Sequence, residues 1–258
     1  MIFITEEIAR SYDDWLNTPA GRYIDGREKS LILDLTAPRV GEKVLDMGCG
    51  TGEHLLLFMK KGCDITGVDP SPAMLDIAKQ KLGNRADLYM EKAEDLPFSD
   101  NEFDIVTMIS SLEFIEDPQK AICEAIRVCR GRVFLGGMNK LSIAAGTRWK
   151  YQRLGSPSIY KSARFFHIGK LSGMVRNQLQ GVRIQWGSVI FLPYRWYTFA
   201  TGIEEAIPIM KNPFGAFLGM SFPVTFTYRA LQDVIREPFK IEGQRRQPAH
   251  GITRGIRK

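Results

Sequence analysis

The sequence predicts an α/β fold: a doubly wound, mostly parallel sheet of seven strands whose strand–helix rhythm breaks off after the fifth. Three stretches carry that reading. A buried strand closing on Val44-Leu45 runs through Asp46-Met47-Gly48-Cys49-Gly50-Thr51-Gly52 into an apolar-periodic helix that opens at Glu53. A second strand, Cys63 to Val68, ends on Asp69. A third, Phe103 to Ile109, is almost continuously apolar, as a central parallel strand covered on both faces must be.

Gly48, Gly50 and Gly52 let the backbone bend after the strand and lie against a ligand where a Cβ would collide, in front of a helix start with unpaired N–H groups. The spacing excludes two common ligand classes. A dinucleotide fingerprint begun at Gly48 needs glycine where Glu53 stands, and a phosphate-binding P-loop needs a G-K-[ST] that is absent. Asp46, two residues before the first glycine, suits a cation better than a diphosphate, which a carboxylate repels. Asp69 stands where an acid takes both ribose hydroxyls. Together Asp46-x-Gly48-x-Gly50-x-Gly52 and Gly67-Val68-Asp69 resemble the class I S-adenosyl-L-methionine (SAM) dependent methyltransferases, of the methyltransferase type 11 group.

The resemblance implies a Rossmann-like methyltransferase fold, SAM as cofactor and S-adenosyl-L-homocysteine as product. Residues 1–40 are then a helical lid, broken at Thr18-Pro19-Ala20-Gly21, with Tyr12 and Tyr23 shielding the cofactor. Residues 41–137 form the SAM-binding core, with strand one at 43–47, a helix at 53–61 and strand two at 63–68. Cys49 lies inside the loop and Pro70 follows the ribose acid. Ser71 caps the next helix with Pro72 in its first turn, and Met74 faces back to cover the adenine. After strand three, 87–90, Glu91-Lys92-Ala93-Glu94-Asp95-Leu96-Pro97-Phe98 matches the group's G-D-A-E-x-L-P-F stretch, with Ala93 and Glu94 at the adenine. Lys92 replaces the group's aspartate, and a lysine has only donors, so it cannot accept the adenine amino proton.

Strand four, 103–109, delivers Ser110 to the cofactor and Glu113 to a place where the group often shows histidine, a candidate to orient a nucleophile or take its proton. A helix at 118–129 and strand five at 132–136 complete the alternating part. The resemblance makes 138–168 a basic, aromatic cap that chooses the substrate, with Arg148, Tyr151 and Arg164 as candidate contacts. Residues 169–244 complete the sheet, with a helix at 169–180, strand six at 182–192, a long connection at 193–212 and a reversed strand seven at 214–222; residues 245–258 are a basic tail.

The net charge of +6 conceals a division. Residues 1–130 hold 15 Lys+Arg against 24 Asp+Glu, and 131–258 hold 20 against 5. From Gly131 to Ile203 there are eleven basic residues and no acid. That points to an anionic or partly apolar small-molecule acceptor, with contact to an anionic lipid surface as a variant. Two other readings stay open: a nucleic-acid methyltransferase, whose phosphates the basic half would meet, and a SAM-binding protein without transferase activity. No N-P-P-Y-type tetrapeptide follows strand four. No run of about 18 apolar residues spans a bilayer, and no charged-then-apolar leader opens the chain, so a cytoplasmic location is expected. Cys49, Cys63, Cys123 and Cys129 lack C-x-x-C spacing, which implies buried thiols and no metal.

Overall fold

A computed structural model of the chain describes residues 14–142, 163–193, 196–197 and 201–224. In chain order the elements are α1 (Pro19–Thr36), β1 (Lys43–Met47), α2 (Glu53–Met59), β2 (Asp64–Val68), α3 (Pro72–Leu82), β3 (Ala86–Tyr89), β4 (Phe103–Ile109), α4 (Pro118–Val128), β5 (Cys129–Met138), α5 (Ile168–Arg176), β6 (Gln185–Val189), α6 (Thr201–Ala206) and β7 (Phe217–Pro223). The seven strands form one sheet in the order β3-β2-β1-β4-β5-β7-β6, parallel except for β7, which runs against both neighbours.

The order reverses beside β1. That strand lies between β2, where Asp46 pairs with Gly67, and β4, where Asp46 pairs with Thr107. The open crevice at such a reversal is where doubly wound sheets bind ligands. The core divides by sheet face. Leu31, Ile32, Leu55, Phe58, Ile105, Phe134 and Phe217 pack on one side under α1, α2 and α3. On the other, Val106, Leu135, Met220, Ala121, Ile122, Leu171 and Val175 pack under α4 and α5.

The helices begin where the local chemistry starts them. Thr18 Oγ1 accepts the Gly21 N–H at 3.0 Å, and Pro19 fills the first position of α1, where its missing N–H is no loss. Ser71 Oγ caps α3 on the Met74 N–H, and Asp117 caps α4 on the Gln119 and Lys120 N–H groups.

Differences from the expected boundaries have physical causes. β5 is longer than expected, because β7 pairs along it from Arg132 to Met138. β6 is shorter. Its ladder stops at Ile190, a non-glycine residue with φ of 69°, and the next N–H groups turn to a carboxylate: Glu204 accepts from Ile190 at 2.8 Å and from Phe191 at 2.9 Å. The long connection to β7 thus contains α6, which carries that glutamate. Much of the expected cap, 143–162, and the basic tail lie outside the described residues.

Candidate cofactor site

The loop between β1 and α2 is bent by three left-handed glycines, with φ of 79° at Gly48, 52° at Gly50 and 84° at Gly52. The first is also crowded: a Cβ on Gly48 would lie 2.4 Å from Ser111 Cβ. Ser111, just past β4, donates its hydroxyl to the Met47 carbonyl at 2.8 Å. The Gly48 and Cys49 N–H groups both donate to the Val68 carbonyl, so the loop is drawn against the end of β2.

Asp69 closes that end. Its Oδ1 accepts the Ser71 N–H at 2.9 Å and its Oδ2 the Gly50 N–H at 3.0 Å, and burial raises its pKa. One carboxylate therefore ties two ligand-binding turns together and keeps lone pairs for a diol.

Asp46 is 1% exposed at the end of β1. Thr107 donates to its Oδ1 at 2.7 Å, while Oδ2 is buried with no hydrogen-bond partner among the described residues. Burial, with the nearby Asp69 charge, pushes its pKa up to about 7 against the Thr107 hydrogen bond. A buried carboxylate oxygen without a donor is costly, of the order of 1–3 kcal/mol, unless a cation or donor completes it. Burial likewise raises the Cys49 thiol well above its usual value, with Asp46 and Asp69 adding to the effect, which keeps it neutral.

The other expected contacts spread along the same edge of the sheet. Pro70 follows Asp69, and Met74 is half-buried with Sδ 3.9 Å from where a Cβ on Gly50 would stand. Ala93 is buried and Lys92 exposed. Glu94 Oε1 accepts the Glu116 and Asp117 N–H groups at 3.1 and 3.3 Å, binding the loop after β3 to the one after β4. Ser110 takes a φ of 51° and donates its N–H to the Gly136 carbonyl. Tyr23 stacks on Tyr197 at 5.3 Å and donates to the Thr201 carbonyl at 3.3 Å, so it is directed to the connection after β6.

Glu113 is buried, and its Oε1 accepts the Met138 N–H at 2.6 Å. It fills the space in which Gly137 has no side chain, since a Cβ there would lie 2.2 Å from Oε1. Arg164 is strapped to the same loop, with its N–H on the Glu113 carbonyl and its guanidinium on the Glu116 carbonyl. Tyr12, Arg148 and Tyr151 lie outside the described residues. Thr107 and Ser111, which sequence reasoning missed, hold Asp46 and the loop; Thr107 had left one trace, as a hydroxyl inside the apolar run from Ile105 to Ile109.

This sheet order, with its reversed last strand, its glycine loop and an acid at the end of each of the first two strands, defines the class I SAM-dependent methyltransferase fold. Residues 45–135 match the family model described as "Methyltransferase domain". An uncharacterized methyltransferase of Mycobacterium bovis is 36% identical over 98 residues, 38% of this chain and 40% of that protein. The ubiquinone/menaquinone biosynthesis C-methyltransferase of Zymomonas mobilis is 30% identical over 159 residues, 60% of this chain and 62% of the relative. The chain thus spans less than two thirds of the length of these relatives. A SAM-dependent methyltransferase structure from Thermotoga maritima superposes with a TM-score of 0.66 at 23% identity, over 84% of this chain and 97% of that one.

Family and fold imply SAM, and the residues fit it. The unpartnered Asp46 oxygen suits the amino acid portion with its ammonium, the glycine turn leaves room for backbone contact, and Asp69 retains acceptor capacity for a ribose diol.

Proposed function

We propose that this protein is a SAM-dependent methyltransferase acting on a small molecule that joins an apolar, ring-bearing body to an anionic group. The carrying observation is the buried, unpartnered Oδ2 of Asp46 beside a left-handed glycine turn and the Asp69 carboxylate. SAM supplies a methyl group on a sulfonium that is already activated, so the protein mainly has to align the partners and exclude water. In this reading Asp46 holds the amino acid end, Asp69 the ribose, and Met74 and Ala93 border the adenine. Arg164, Arg148 and Tyr151 serve the acceptor.

The apolar body is supported by the relative from Zymomonas mobilis, named for quinone biosynthesis. The anionic group is supported by the acid-free run from Gly131 to Ile203. Phosphate recognition by that run is weakened at two of its members: Arg132 pairs with Glu42 at 2.7 Å, and Lys170 lies over the Phe166 ring. That favours a small molecule over a nucleic acid. No helix among the described residues is long and apolar enough to cross a membrane.

Calorimetry with S-adenosyl-L-homocysteine and with NAD tests the cofactor, and a labelled-SAM screen of metabolite, lipid and RNA fractions tests the acceptor class. Binding of NAD with none of S-adenosyl-L-homocysteine overturns the proposal, and label confined to RNA overturns the acceptor.

A further inference from the structure

α1 runs antiparallel to β5 across one face of the sheet. At its C-terminal end the Thr36 and Ala37 carbonyls accept the guanidinium of Arg132, near the start of β5. One turn and a half earlier, Leu31 Cδ2 lies 3.2 Å from where a Cβ on Gly219 would stand, and Gly219 pairs with Gly136 in β5. Near its N-terminal end, Tyr23 stacks on Tyr197, past the end of β6. Arg27 lies between these two points. Four residues of helix rise about 6 Å, so Arg27 stands about one turn from each of these contacts. It is on the face opposite Glu113, because Phe134 packs with Leu31 while Gly137 faces Glu113.

Nε and Nη2 of Arg27 are buried and have no hydrogen-bond partner among the described residues. These two nitrogens form the edge of a guanidinium whose parallel N–H bonds match the two oxygens of a carboxylate or phosphate. Two acids stand by the Tyr23–Tyr197 pair: Glu204 is fully buried and takes the Ile190 and Phe191 N–H groups and the Tyr197 hydroxyl, while Glu205 is exposed and faces the Tyr23 hydroxyl. A charged fork shielded from water without an acceptor persists at a cost that an anion entering beside it removes. Arg27 repeats, with opposite sign, the situation of Asp46 on β1.

We infer that Arg27 receives the anionic group of the methyl acceptor through its Nε–Nη2 edge, with the Tyr23–Tyr197 pair one helical turn away to border an attached ring. The inference rests on the methyltransferase reading and adds to it the residue that selects the acceptor's charge.

The test uses the full chain, 2-naphthoate as the probe, its neutral isostere 2-naphthamide as the control, and titrations with and without S-adenosyl-L-homocysteine. Wild type should bind the carboxylate at least tenfold tighter than the amide, and inorganic phosphate should compete. Arg27→Gln should abolish the preference while S-adenosyl-L-homocysteine affinity stays within about twofold. Arg27→Lys, which keeps the charge and loses the fork, should fall between them. If Arg27→Gln does not fold, Arg27→Met, which removes the buried donors altogether, replaces it, and the wild-type preference and phosphate competition stand by themselves. Equal binding of naphthoate and naphthamide by wild type, or a preference that survives the substitution, overturns the assignment. So does a tenfold loss of S-adenosyl-L-homocysteine affinity in Arg27→Gln with 5′-methylthioadenosine unaffected, since that puts the cofactor's own carboxylate on Arg27. Failure of S-adenosyl-L-homocysteine to bind wild type at all strikes the methyltransferase reading instead, whatever naphthoate does.

Discussion

Asp69 accepts the Gly50 N–H at 3.0 Å with one oxygen and the Ser71 N–H at 2.9 Å with the other, so the acid that ends β2 also holds the glycine turn after β1. The two turns are therefore one mechanical unit. Asp69→Ala should lose about 1.5 to 3 kcal/mol of S-adenosyl-L-homocysteine affinity, roughly 10- to 150-fold, because hydrogen bonds to a charged group lie at the upper end of the range. The released Gly50 turn pushes the loss toward the larger value. Calorimetry on the folded variant checks it, and an unchanged dissociation constant removes Asp69 from the site.

With Asp46 holding the ammonium, as proposed, cofactor binding should depend on pH. Its folded-state pKa of about 7 lies above the ordinary carboxylate range, so the ligand-free fold holds a proton there that the unfolded chain has released. Stability contributed by this group is therefore present at low pH and falls as the pH rises from about 4 to about 7. Binding runs the other way: the ammonium of S-adenosyl-L-homocysteine favours the ionised carboxylate. Affinity should rise with pH, approaching tenfold per unit below about 7, and level off above it. Asp46→Asn should flatten the curve; a wild-type curve already flat between pH 5.5 and 8 contradicts the placement.

Gly48 combines a left-handed φ of 79° with a Cβ position 2.4 Å from Ser111 Cβ. Gly48→Ala should lose about 1 to 3 kcal/mol of stability from backbone strain alone, with the overlap adding to it. Ser111→Gly in the same chain removes the overlap and leaves the strain, so it should restore part of the loss and not all of it. Urea unfolding of the single and double variants measures the coupling; simple additivity would place the two residues out of contact.

Lys92 is exposed while Ala93 beside it is buried, which leaves room for an acid at position 92 to reach outward. Lys92→Asp should hold or improve S-adenosyl-L-homocysteine affinity, since an acceptor replaces a group with donors only. A clear loss by calorimetry would mean that the lysine makes a contact of its own and that the adenine lies elsewhere.

What was legible in the sequence was local. The strand–loop–helix around Gly48, the cap of α3 at Ser71 and the apolar run of β4 depend on neighbours within a few residues, and the elements form there. The elements that shifted depend on distant partners. β5 extends because β7 pairs along it, and β6 stops because Glu204, fourteen residues after Ile190, takes its N–H. Thr107 and Ser111 secure residues more than sixty positions away, and Arg27 stands out only because nothing among the described residues meets its nitrogens. No periodicity records such relationships. Tyr23 likewise stacks on a residue far along the chain, Tyr197, which no local pattern records.

Glu113 sits where a proton acceptor was expected, yet its Oε1 is engaged by the Met138 N–H at 2.6 Å and it occupies the gap left by Gly137. That geometry fits a brace between the loop after β4 and the end of β5. Glu113→Gln keeps the shape and an acceptor oxygen for Met138, so it should leave kcat within about threefold and the pH profile unmoved. Glu113→Ala leaves a buried N–H unsatisfied beside a cavity and should destabilise the protein by about 2 to 4 kcal/mol. A general base behaves differently, because its loss removes a factor of about 100 or more from the rate and one limb of the pH profile. Steady-state kinetics of Glu113→Gln across pH 6 to 9, read beside thermal unfolding of both variants, separates the two roles: a hundredfold fall in kcat with stability intact assigns Glu113 to the chemistry.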